Sequence, residues 1–343
     1  MHAASRFRWE PTRMLRCSVS LMVAASLLSG CAQGQFSTQS ARIGHDDGTD
    51  SCRAHLVALD STGNYFGADI LKGAAIGAAG GALAGGVIGR DWQSALIGAA
   101  SGAALGASVG YWSSLQQQAR DQAGMLSQVR GDMTREGAQI DRTQIAFDQL
   151  MDCRFNQAQR IRDAYRAGRM DRATAVAQMG VIRQRAEQDL QVAKQINGQI
   201  SARAEQFDVA ANNLSPGTTA EIAARTPATR SVVVRQAAAL KLTPDPAAPD
   251  IAQLQPKQAV TISGRRGNYA LVQTASGGRG YTPVDALQGS GGKAQTPSTR
   301  AGSETGGQEI RNLAGSNAAR RDDFAQSVSV SEKAMASGFE VAG

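Results

Sequence analysis

The chain has 343 residues, of which 42% are hydrophobic, only 5% are aromatic and 38 are glycine. That is too little aromatic and aliphatic content for one large core, so the chain reads as several modules in series. The formal charge of +7 includes +3 from the first 30 residues (Arg6, Arg8, Arg13 and Arg16 less Glu10), which leaves +4 for the rest. This mild basic bias is compatible with an anionic wall polymer or lipid headgroups and gives no ground for nucleic acid.

The four arginines precede a short apolar run, Cys17 to Leu28, too short to span a bilayer, so residues 1–30 read as a cleaved signal peptide. Leu28-Ser29-Gly30-Cys31 follows and resembles the bacterial lipobox. That resemblance implies acylation of Cys31, which becomes residue one. Two or more acyl chains anchor stably. Ala32, in place of the Asp that favours inner-membrane retention, implies the outer membrane, with the soluble domains in the periplasm. Cys52 and Cys153 then remain as the two free thiols, a disulfide candidate in an oxidising compartment, within one chain or between protomers. A continuous helix would put Cys153 about 60 Å beyond Trp112. A bond within one chain therefore requires the N-terminal segment to climb alongside that helix, or the helix to bend. Residues 31–64 show no helical or strand period and read as a tether. They hold His45 and His55, without the converging ligands at recognised spacing that a metal needs, so no metal or cofactor is expected.

Residues 65–112 contain the most distinctive pattern. Gly73, Gly77, Gly81, Gly85 and Gly89 stand four apart, and so do Gly98, Gly102, Gly106 and Gly110. Residues four apart share a helix face, so each run predicts a helix with a bare groove along one side. Each glycine costs roughly 1 kcal/mol against Ala in a helix in water. In a bilayer the same pattern lets backbones pack closely. Arg90 to Gln93 read as a turn between two uncharged runs, each of about 25–30 Å if helical, just enough to cross a hydrocarbon core. Tyr65, Phe66, Trp92, Tyr111 and Trp112 flank the runs, where a membrane boundary favours aromatics. The expectation is a transmembrane helical hairpin that also associates with copies of itself.

In residues 113–212 an apolar stripe at spacings of mostly three, four and seven runs from Leu115 through Met133, Phe147 and Ile161. Ala167-Gly168 predicts a stop and Asp171 a new N-cap. A second stripe, Val176 to Phe207, completes a long antiparallel helical hairpin, a stalk. Residues 213–230, with Pro216 and Pro227, read as a linker. From Ser231 the period becomes that of short strands: Val232/Val234, Leu240/Leu242, Val260/Ile262 and Leu271/Val272. Residues 231–288 resemble the bacterial SH3-like (SH3b) family in Ala239 to Pro244, Ile251 to Ile262, Asn268 to Val272, and Gly280-Tyr281-Thr282-Pro283-Val284. Tyrosines replace the Trp that the family often carries at Tyr269 and usually at Tyr281, and Lys257-Gln258 replaces its usual turn glycine. The resemblance implies a small β-barrel and makes Tyr269 and Tyr281 ligand-binding candidates, with peptidoglycan stems or a protein as the ligand. Residues 289–343 are rich in Gly, Ser, Thr and Ala and read as a disordered tail, in which Phe324, Val328 and Met335 fit one side of a short helix.

The fold class expected is therefore multi-domain α + β: zipper hairpin, helical stalk, SH3-like barrel and tail. No phosphate loop, nucleophile elbow or Cys-His pair is present, so an enzyme is not expected. Lipobox and glycine ladder together resemble the glycine-zipper outer-membrane lipoproteins of the surface-antigen type. This implies a non-enzymatic envelope lipoprotein that meets outer-membrane lipids and presents its soluble modules to peptidoglycan or an envelope protein. Two rival readings are an oligomeric pore or secretion-complex component, and a surface antigen or adhesin.

Overall fold

The computed structural model describes residues 39–66, 111–112, 114–116, 121–224, 229–289 and 306–341. The signal peptide, Cys31 and all nine ladder glycines, Gly73 to Gly110, lie outside them. The chain divides into two compact units, residues 1–47 and 48–343. Of the first, one short helix is described, α1 (Gln39–Ile43).

The second unit is built on two long helices. Helix α2 covers residues 53–66, and the two that follow are α3 (Gln122–Arg166) and α4 (Arg172–Leu214). Asp121 caps α3 by accepting from the Gly124 N–H at 2.7 Å. Past Ala167, Gly168 takes the left-handed φ of +67° that an L side chain resists, and this stops the helix. Asp171 then caps α4 through the Thr174 N–H at 2.9 Å. Arg154 pairs with Asp189 and Glu136 with Arg203, so α3 and α4 run antiparallel. Val129, Met133, Ile140, Phe147, Leu150 and Ile161 of α3 are buried, and so are Met179, Ile182, Leu190, Ile196, Ile200 and Phe207 of α4. Val176 is not: Ala175 takes the inward position and Val176 is 52% exposed.

A third long helix corrects the expectation of a disordered tail. Helix α6 (Gly306–Gly338) has 33 residues. It lies parallel to α3, pairing Glu309 with Arg130 and Arg320 with Asp141, and antiparallel to α4, pairing Arg321 with Asp208 and Glu332 with Lys194. Phe324, Val328 and Met335 are buried, as are Ile310, Ala314 and Ala318. The composition that reads as disorder is here a close-packing surface. The Asn317 amide donates to the Met133 carbonyl at 2.8 Å, and a Cβ added to Gly137 would stand 2.5 Å from the Asn317 Oδ1. Such a helix is stabilised by tertiary contact more than by propensity.

Two further boundaries move. The expected tether, residues 31–64, runs into α2, which continues to Phe66, with Leu56, Leu59 and Phe66 buried. The expected linker begins inside α4 and holds a short helix, α5 (Thr218–Ala224).

Six strands follow: β1 (Arg230–Val233), β2 (Ala238–Lys241), β3 (Asp250–Leu254), β4 (Ala259–Arg266), β5 (Tyr269–Thr274) and β6 (Arg279–Pro283). They form one antiparallel sheet in the order β1-β4-β5-β6-β2-β3. Val232, Leu240, Leu254, Val260 and Val272 form its core, with Leu287 bridged back to Val234. Gly280 must be glycine, because a Cβ there would stand 2.8 Å from both Leu240 and the Lys241 carbonyl. Lys257 sits at φ 68°, in the turn where the SH3-like pattern has glycine. The architecture is mixed α and β, and among the described residues no helix is long and apolar enough to cross a membrane.

Candidate functional site

The glycine ladder leaves and rejoins the described structure at one place. On the outgoing side Tyr65 stacks edge-on against Phe66, and the Arg203 guanidinium lies 5.0 Å above the Tyr65 ring. On the returning side Tyr111 packs edge-on against Phe207 and donates its hydroxyl to Asp132 at 2.7 Å. Burial, then the Asp132 contact, pushes the Tyr111 phenol far above its ordinary range, so it stays a donor. Arg203 also lies 5.7 Å above Phe207 and is held by Glu136 through Nε at 3.0 Å and Nη2 at 2.9 Å. One buried arginine thus lies over Tyr65 of the outgoing end and over Phe207, the ring that receives Tyr111 of the returning end. Phe66 is fully buried and Leu115 nearly so. These flanks, expected as aromatics at a membrane boundary, include residues that root the segment in the helices.

A second set of contacts fixes α2. Cys52 and Cys153 are bonded, with their Cα atoms 5.9 Å apart, across 101 residues of sequence. The N-terminal segment reaches Cys153 by running alongside the stalk: Gln139 donates to the Thr62 carbonyl at 3.4 Å, and a Cβ on Gly63 would stand 2.8 Å from Ile196. Next to the disulfide, fully buried Arg154 donates to both Asp50 oxygens at 2.5 and 2.8 Å and to Asp189 at 2.6 Å. Burial pushes the Asp50 carboxyl up, but hydrogen bonds from Arg154 and the Cys52 N–H, with the charges of Arg154 and Arg185, hold it below the ordinary value. At Asp189 burial outweighs Arg154 and the carboxyl is raised. Sequence reasoning missed this cluster. Its signal was Arg154 standing on the stripe of Phe147, Leu150, Ala158 and Ile161, where an unpaired charge is untenable.

The third feature is the face between sheet and helices. Tyr281, expected to meet a ligand, is 1% exposed. Its hydroxyl lies 3.4 Å from Ser327 Oγ of α6, and the Arg266 guanidinium is 5.8 Å above its ring. The chain's own helix covers this residue, so the ligand-binding candidate is corrected to an intramolecular contact. Tyr269 is half-buried. Arg266 reaches Ser327 at 3.2 Å and Asp148 at 3.5 Å, Arg279 reaches Ser329 at 3.3 Å, and Thr243 reaches Asp152 at 3.4 Å. Burial pushes Asp148 up to about 6, Asp152 to about 7 and Asp323 to about 6. Near Asp152 stand Asp148 and Asp245, which raise it further, and Lys241 and Thr243, which lower it. Asp152 Oδ1 has no hydrogen-bond partner among the described residues. Among those residues no three His, Cys, Asp or Glu are grouped to hold a metal ion; His55 lies on α2.

Residues 54–114 match the model of the YMGG-like Gly-zipper family. The match begins within α2, spans the glycine ladder and ends just beyond Tyr111 and Trp112, so the rooted segment is a glycine zipper. No curated protein and no solved structure matches the chain.

Proposed function

We propose that this chain is a non-enzymatic envelope lipoprotein, anchored in the outer membrane by acyl chains on Cys31 and by its glycine-zipper hairpin. Its helical bundle and SH3-like module stand in the periplasm, toward peptidoglycan or an envelope protein. The observation that carries this reading is the convergence of both zipper flanks on Arg203 and Phe207. Flanks that meet at one point are what a hairpin requires, and two uncharged runs of bilayer length give such a hairpin a place to go. The Cys52–Cys153 bond supports an oxidising compartment. The core of the sheet and its Val234–Leu287 bridge support the SH3-like reading, with the Tyr281 face already occupied by α6.

The test separates the two anchors. Wild-type chain and Cys31→Ser are expressed in cells fed an alkyne fatty acid, and membranes are washed with alkaline carbonate. Only wild type takes the label, and Cys31→Ser stays in the pellet through the zipper. Label on both forms contradicts the lipobox; complete release of Cys31→Ser contradicts insertion.

A further inference from the structure

The end of the α3/α4 pair opposite the zipper root carries a groove of about 510 Å³, a size that suits a small ligand. From Asp132 at the root to Ile161 at the groove, α3 rises about 44 Å. The floor is aliphatic: Ile161, Met170, Val181 and Ile182. Val181 is 48% exposed, and Val176 on the same helix is also open. Two amides also line the groove, Gln157 and Gln178. Gln157 donates to Ser51, and its Oε1 is buried with no partner among the described residues.

The surroundings are cationic. Arg160 and Arg185 line the groove, and Arg169 and Arg172 flank the turn. Arg185 is engaged with Thr49. The exposed side chains of Arg160, Arg169 and Arg172 make no hydrogen bond or ion pair within the described residues. Guanidinium forks of this kind match carboxylates in a bidentate way.

We infer that this groove binds the carboxylate-bearing stem peptides of the cell-wall polymer. Arginines on the rim take the carboxylates, the two glutamines pair with peptide N–H and C=O groups, and the aliphatic floor takes short methyl-bearing side chains. An acyl tail would meet the floor but has no use for two amides; a peptide uses both. The inference rests on the envelope location proposed above, which turns the far end of the bundle toward the wall. It places wall contact on the helical tip, away from the sheet face that α6 covers.

The full mature chain, purified in detergent, is sedimented with isolated wall sacculi at several salt concentrations. In parallel it is sedimented with glycan from which the stem peptides have been cleaved, and with vesicles of anionic phospholipid. The comparison variants are Arg160→Glu combined with Arg169→Glu and Arg172→Glu, and separately Val181→Glu, all at exposed positions. Circular dichroism and an intact disulfide verify their fold. Wild type is expected to bind intact sacculi, weakening as salt rises. The triple variant should bind at least tenfold more weakly, Val181→Glu several-fold more weakly, and stripped glycan not at all. Equal binding by wild type and triple variant, undiminished binding to stripped glycan, or binding to vesicles alone would each overturn the inference. Because purified protein is used, failure here is distinct from failure of membrane insertion, which the carbonate wash reads.

Discussion

Removing the disulfide should weaken the hold on α2, and with it on one root of the zipper, without undocking it in the absence of denaturant. The perturbation is Cys52→Ser together with Cys153→Ser, so that no odd thiol remains. The bond closes a loop of 101 residues, and the chain-entropy relation for a loop of that length gives about 4.7 kcal/mol. Much of that loop is the zipper. If the hairpin stays in the bilayer while the rest unfolds, the free loop shrinks by roughly 44 residues. Because the dependence is logarithmic, this lowers the figure by only about 0.5 kcal/mol. Measured losses are commonly about 2–4 kcal/mol. With a urea slope of about 2 kcal/mol per molar, the midpoint should fall by about 1–2 M, read by circular dichroism on protein in detergent. The Asp50–Arg154–Asp189 cluster is untouched by the change, so α2 should remain docked in the absence of denaturant. A midpoint shift below about 0.3 M would refute the reasoning, showing that the cluster and the Gly63–Ile196 contact hold the segment without the bond.

Three further outcomes are expected. Asp148, Asp152 and Asp323 titrate higher in the folded chain than the usual carboxylate, so between about pH 4 and 7 the folded state holds more protons. Their contribution is present below about pH 4 and is lost as pH rises through 6–7. Urea midpoints from pH 5 to 8 should therefore fall more for wild type than for Asp152→Asn, and parallel curves would contradict this. Gly63→Val drives a branched side chain into Ile196 and should cost about 1–3 kcal/mol, whereas Gly131→Ala, where an added Cβ meets nothing, should cost nothing; equal midpoints would count against the α2–α4 packing. Lys257→Gly relieves the positive φ and should stabilise by about 0.5–1 kcal/mol, and a loss instead would mean that the lysine side chain contributes more than its backbone costs.

What was legible in the sequence was whatever repeats locally. The stripe from Met133 to Phe207 marked the helical pair, and Gly168 with Asp171 its turn, because periodicity and caps act within a few residues. The strands at Val232, Leu240, Val260 and Val272 were legible for the same reason. Of helix α6 only the side carrying Phe324, Val328 and Met335 was legible. The rest of its inner face includes Ala314, Ala318, Asn317 and Ser327, which pack by close approach, and hydropathy does not register that. Tyr281 was misread because the helix that buries it lies 46 residues further along the chain at Ser327. The partners of Arg154, Asp50 and Asp189, come from two other segments, and only the fold brings them together. The glycine ladder was the clearest feature of all, yet its rooting on Arg203 was invisible, since Arg203 lies far from either flank in sequence.

The central claim is that the zipper crosses the membrane as a hairpin from a periplasmic root, which places Trp92 at the far surface. On this account Cys31 is acylated, and with Cys52 bonded to Cys153 Trp92→Cys supplies a single reactive thiol, and Gln178→Cys on α4 supplies its counterpart in a second variant. Intact cells are treated with a membrane-impermeant maleimide, then again after the outer membrane is opened. The account predicts labelling of Trp92→Cys on intact cells and of Gln178→Cys only after opening. Labelling of both positions only after opening would contradict a membrane-crossing hairpin.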